Sequence, residues 1–168
     1  MSCIDSTDKA STVVPSSRRR LVFHLVGLSL LQPLVACGKD GNLMGNKITL
    51  TVVMYSYLDR PIFDISLNDE ALGAAGAYGS TSLVTGVTVP MGKQKMEWTL
   101  GGPKGKAGNG DVVSLKNNVV ISAAEIPPHS DYMGLYLYPD NTAEITFHKY
   151  IPEHSKRGEA LLKAAGRK

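Results

Sequence analysis

Arg18-Arg19-Arg20 stands directly before an apolar run, Leu21-Val22-Phe23-His24-Leu25-Val26-Gly27-Leu28-Ser29-Leu30-Leu31, which Gln32 and Pro33 then interrupt. A positive cluster, a short apolar segment and a small residue, Ala36, ahead of position 37 are the three parts of a secretory signal. The run is shorter than the ~20 residues a permanent membrane helix needs, so it reads as an export leader. Two alternatives stand beside it: a buried amphipathic helix, which leaves the Arg triplet, Pro33 and Cys37 without a role, and a plain leader cut after Ala36. The leader confines the folded part to the residues after it. The whole chain of 168 residues is long enough for one domain and too short for two large ones.

Leu34-Val35-Ala36-Cys37 resembles a bacterial lipobox. The resemblance implies a diacylglyceryl group on the Cys37 sulfur and cleavage before that residue. Membrane lipid then becomes a partner through acylated Cys37, and several acyl chains together make such anchoring stable. In Gram-negative lipoproteins an aspartate after the lipidated cysteine holds the protein at the inner membrane. Gly38 stands there, so an outer-membrane location facing the periplasm is expected. The expected organisation is an extension and leader over 1–36, the lipidated cysteine and a flexible Gly/Asn-rich tether over 37–46, a β-domain over 47–154, and a helical tail over 155–168. Residues 1–17 are long for the start of a leader, and translation from Val13 or Val14 is expected.

The chain has two cysteines, Cys3 and Cys37, so the exported domain carries no disulfide and depends on packing. At 43% hydrophobic and 20% charged residues it is neither disordered nor a disulfide-dense toxin. Of the net charge of +3, the first 36 residues hold +2 and the rest only +1. A nucleic-acid partner is therefore not expected.

In the exported part, 48–57 places Ile48, Leu50, Val52 and Met54 on one face at period two, a strand signal. Strands are also expected over 62–67, 83–89 and 93–100, and more weakly over 112–115 and 119–122. The run 93–100 alternates most cleanly, with Met96, Trp98 and Leu100 inward. Gly73 to Ser80 and Gly101 to Gly110 read as loops. A hairpin is expected across Pro139-Asp140-Asn141, with Leu135, Leu137, Ala143, Ile145 and Phe147 on one face. Its other face carries Tyr136, Tyr138, Glu144 and His148. Only 155–165 looks helical, with Gly158 weakening it. The fold class expected is mainly β: an antiparallel β-sandwich or half-open barrel with a short C-terminal helix.

Chemical motifs are sparse. His129, His148 and His154 have no metal-ligand spacing, and neither a metal nor a cofactor is expected. Gly79-Ser80-Thr81-Ser82 lacks the second glycine of a nucleophile elbow. The glycine-rich stretches lead into strands and not into helix N-termini, so they do not read as phosphate cradles. Lys104 and Lys106, with Lys93 and Lys95, form the main charge concentration. It is either a solvated surface or an edge for an acidic partner or anionic headgroups. Tyr136 and Tyr138 have two open readings, an exposed contact patch or the cover of a second core under the terminal helix. The candidate partner surface is thus Tyr136, Tyr138, Glu144, His148, Lys104 and Lys106.

Several phrases over roughly residues 55–154 resemble a family of uncharacterised bacterial lipoproteins. They are Tyr57-Leu58-Asp59-Arg60-Pro61-Ile62, Ser66-Leu67-Asn68, the glycine-rich stretch to Gly79, Trp98 in a strand, Leu135-Tyr136-Leu137-Tyr138-Pro139-Asp140 leading to Glu144, and Tyr150-Ile151-Pro152-Glu153-His154. Asp69 stands where the family has glycine, and Val84-Thr85-Gly86-Val87 where it has paired cysteines. Members lie beside type VI secretion lipase effectors and are proposed as their immunity proteins. The resemblance implies a non-enzymatic protein-binding module with a periplasmic effector as partner. The alternative is a structural or assembly lipoprotein of an envelope or secretion complex.

Overall fold

The computed structural model describes residues 43–167. Arg18, Arg19, Arg20, Leu34, Val35, Ala36 and Cys37 lie outside the described residues, as do residues 38–42 of the expected tether.

The β-former run after Asn46 becomes β2 (Lys47–Ser56), the centre of the first sheet. One edge of β2 pairs antiparallel with β5 (Ser80–Pro90). The other edge pairs parallel with β10 (Tyr132–Leu137), which in turn pairs antiparallel with β11 (Ala143–His148). β1 (Leu43–Met44) folds back on the first residues of β2, so the end of the expected tether belongs to the sheet. The second sheet is wholly antiparallel. Its order is β4 (Glu70–Ala75), β3 (Ile62–Leu67), β7 (Met96–Leu100), β8 (Val112–Ser114). A two-stranded ribbon, β6 (Gly92–Lys93) with β9 (Val120–Ile121), links them, and α1 (Lys156–Ala164) closes the chain.

The molecule is therefore mainly β, with sheets built largely of antiparallel pairs, one short C-terminal helix and no closed barrel. The parallel contact between β2 and β10 is the departure from the expected pattern. A parallel neighbour requires a long crossover, and here residues 57–131, the whole second sheet included, supply it.

The inner faces of the two sheets form one core. Ile48, Leu50, Val52, Met54, Met133, Leu135 and Leu137 come from the first, and Ile62, Ile65, Leu67, Leu72, Met96 and Trp98 from the second. Two bulges shift the phase of strands that a strict period of two would misassign. At Asp64, whose φ is +49°, the register of β3 jumps, so Ile62, Ile65 and Leu67 face inward while Phe63 faces out. In β5, left-handed Gly86 accompanies a jump that puts both Val84 and Val87 against the core. Between β3 and β4, Asn68 and Asp69 both take positive φ, the geometry of a tight hairpin turn.

Two expected boundaries are corrected. Gly73 to Ala75 belong to β4, because burial of Leu72 and Ala75 stabilises a strand that its small residues alone would not. The expected strand 93–100 is split: Lys93 pairs with Val120 in the ribbon, and β7 begins at Met96. Gln94 lies buried at the break, donating to the carbonyls of Pro90 and Gly92 and accepting from Asn68 Nδ2.

Candidate functional site

The hairpin of β10 and β11 has the expected register, with Leu137 opposite Ala143, Leu135 opposite Ile145 and Tyr136 opposite Glu144. Because β10 is also aligned with β2, Tyr136 lies beside Tyr55 on the outer face of the sheet. Tyr55 stacks on Tyr136, and Tyr57 on Tyr138, each with ring centroids 5.4 Å apart. His154 tilts over both Tyr55 and Tyr57.

The C-terminal segment lies across these rings as a strap, and the phenols satisfy its backbone. Tyr55 donates to the Pro152 carbonyl and Tyr136 to the Glu153 carbonyl. Tyr57 accepts from the Ser155 N–H and lies 3.1 Å from His154 Nδ1. Tyr138 donates to Glu144 and contacts Ser155 Oγ at 2.8 Å. The strap has no strand partner, so the phenols take the place of one, at buried Pro152 and at its exposed neighbour Glu153 alike. Burial holds all four phenols above their ordinary pKa, and the Glu144 carboxylate adds to the rise at Tyr138.

Ser155 also caps α1 through the Gly158 N–H. Gly158 permits the close seating of the helix, since a Cβ there would stand 1.9 Å from Cζ of Tyr57. Arg157 lies over the Tyr138 ring, 3.8 Å from its centroid, and pairs with Asp140 at 2.7 Å. The Asp140 carboxyl is held below its usual range, first by the Thr142 hydroxyl and then by Arg157.

Of the expected partner surface, Tyr136 and Tyr138 are 3% and 0% exposed. They are the second core under the helix and are not a contact patch, because the strap uses their hydroxyls. Glu144 is tied to Tyr138, and half-buried His148 to Thr146. Lys106 is pinned to Asp59 at 2.9 Å, and this bond is the main cause of the lowered Asp59 pKa. Lys104 is exposed.

The structure also divides the expected lysine concentration between two ends of the sandwich. Lys106 reaches Asp59, just past the end of β2. Lys93 and Lys95 lie near the start of β2, where Lys47 pairs with Pro90 and the Met91 N–H bonds the Asn46 carbonyl. Ten residues of strand separate the two ends, roughly 30 Å.

The outer face of the second sheet is different again. Strand register aligns Phe63, Thr99 and Val112 in one row across three strands. Phe63 is 46% and Val112 68% exposed, and Phe63 packs beside Gly101 at the root of the loop that carries Lys104. A second row, Ser66, Glu97 and Ser114, runs parallel to it. Neither Phe63 nor Val112 stood out in the sequence. A strict alternation places Phe63 with Ile65 and Leu67, and only the Asp64 bulge turns it outward. A bulge-permitting acid within a short apolar strand was the available signal.

Among the described residues, no three His, Cys, Asp or Glu side chains gather as a metal site, and no helix is long and apolar enough to cross a membrane. Compared with protein-family models, with curated proteins and with solved structures, the chain matches none.

Proposed function

We propose that this protein is a lipid-anchored, protein-binding module of the bacterial envelope, an immunity protein that blocks a phospholipase effector delivered by type VI secretion. The observation that carries the reading is the Phe63–Thr99–Val112 row. Its two ends, Phe63 and Val112, are exposed large apolar side chains flanking Thr99, beside the Lys104 loop and at the end of the domain away from the expected tether. Large apolar side chains aligned on a surface favour contact with another protein. The leader, the lipobox and the lipoprotein-family phrases supply the compartment and the class of partner.

Blocking is steric: the sandwich covers the mouth of the enzyme's active site and contributes no chemistry. About 800 Å² per partner is enough for a stable complex, within reach of a domain of this size. The anchor keeps the blocker where the effector arrives and raises its effective concentration.

The test is co-expression of the protein with a type VI phospholipase effector encoded in the same genome, reading phospholipid hydrolysis in the envelope. The wild type is expected to suppress hydrolysis and to co-purify with the enzyme. The Phe63→Asp/Val112→Asp variant, checked for an unchanged melt, is expected to do neither. Equal suppression by both forms would overturn the row as the contact. Co-purification with a multi-subunit envelope complex and no phospholipase would replace the reading with the assembly role.

A further inference from the structure

We infer that the lysine-rimmed cleft at the start of β2 is a membrane-facing contact that takes the phosphates of anionic lipid headgroups. This contact fixes which end of the domain points away from the bilayer. The inference rests on the lipid-anchor reading above.

The cleft has a volume of about 280 Å³ and is rimmed by Lys93, Lys95 and Lys116. Buried Gln94, its amide fixed by three hydrogen bonds, and buried Met96 form its floor, so its shape is set before any ligand arrives. One of the carbonyls that hold Gln94 belongs to Pro90, the residue paired with exposed Lys47. The cleft therefore adjoins the point where the chain leaves the domain toward position 37. From Cys37 to Leu43 the chain can span at most about 20 Å. An acylated Cys37 would thus hold this end of the domain close to the surface, where anionic headgroups attract lysines within a Debye length of about 8–10 Å.

Glu97 is the one acid in the cleft's lining, against three lysines, and its carboxylate accepts from the Ser114 hydroxyl. Lys95 stands 3.8 Å from Glu97 and 4.0 Å from Asp69, and it remains 66% exposed, so these are loose surface pairs. Lys93 and Lys116 pair with no carboxylate among the described residues. A lipid surface suits this arrangement better than a single soluble anion. The cleft is open, and a fourth lysine, exposed Lys47, lies beside it opposite Pro90.

The experiment uses the protein purified from membranes and reconstituted into phosphatidylcholine vesicles with or without phosphatidylglycerol. Hydrogen exchange is then followed over residues 91–95 and 116–120. Protection is expected only with phosphatidylglycerol, and the Lys93→Glu/Lys95→Glu/Lys116→Glu variant is expected to lose it while still floating with the vesicles. Lys104→Glu, at the far end, is expected to keep it. For the unacylated Cys37→Ser chain, binding to anionic vesicles should weaken roughly fivefold for each lysine removed and vanish at high salt. Protection that is equal in neutral vesicles, that survives the triple variant, or that inorganic phosphate alone produces would overturn the inference. Failure of the anchor reading shows differently: the wild type would then not float with neutral vesicles at all.

Discussion

The two sheets turn outer faces of opposite character to their surroundings. Over β2 and β10 the outer face is Val53 and four tyrosines, sealed by the chain's own C-terminal strap. The outer face of the second sheet carries polar side chains that satisfy one another in the plane. Thr99 donates to Asp64, and Ser114 to Glu97. The difference teaches what a cover is for. A phenol buries a large apolar ring and still needs a partner for its hydroxyl, and a strap of backbone supplies both needs at once. A face of paired hydroxyls and carboxylates is at home in water, and the exposed side chains of Phe63 and Val112 are its apolar exceptions.

The sharpest way to break the comparison is to truncate one ring on each face. Tyr138→Ala is expected to cost about 3–5 kcal/mol in urea unfolding, as for any large buried aromatic. Phe63→Ala should cost about 1 kcal/mol or less, since its ring is already half in water. Similar losses at both positions would mean that the faces do not differ. Next in size is Gly158→Ala. Helix propensity alone would make it a gain of about 1 kcal/mol, whereas the clash with Tyr57 makes it a loss of about 1–3 kcal/mol. Limited proteolysis of the strap would rise with the loss, and a higher melting temperature would show that α1 is not seated on Tyr57.

The covered face also carries an alkaline signature. The fold keeps Tyr55, Tyr57, Tyr136 and Tyr138 protonated beyond the ordinary phenol value of about 10. Stability from these groups is complete below that pH. It falls as pH rises through the folded-state range, because the unfolded chain sheds its phenolic protons first. The urea midpoint should therefore decline above about pH 10, in step with late tyrosinate absorbance, and Tyr138→Phe should flatten the decline. A midpoint that stays level there would argue against burial of the phenols. The smallest effect belongs to the second sheet. Asp69→Gly relieves a left-handed backbone position and is expected to gain roughly 0.5 kcal/mol, part of it offset by the freer unfolded chain. A loss would mean that the loose Lys95 contact outweighs the backbone term.

Local periodicity made much of the fold readable. The inward set Ile48, Leu50, Val52 and Met54, the faces of the hairpin and the extent of α1 all follow from spacing and turn residues. What spacing could not carry was phase across a bulge and pairing at a distance. Asp64 and Gly86 each shift the faces of their strand, and nothing local tells β2 that its neighbour is β10. The candidate surface suffered most from this. Tyr136 and Tyr138 read equally as an exposed pair or as a second core until the strap is laid over them, and strict alternation would put Phe63 in the core until Asp64 turns it out. Gly158 reads as a weak point in a helix, while its role is to let that helix approach a ring.

The parallel neighbour of β2 also sets an order of events. A chain that emerges N-terminus first presents β2 long before β10, with all of residues 57–131 still to come between them. During that wait one edge of an apolar strand has no permanent partner, which exposes the nascent chain to pairing with other copies. Completion is therefore a late, non-local step, and slow closure is the expected kinetic cost of this topology. A chain cut anywhere before Leu137 should yield an aggregate and not a smaller domain.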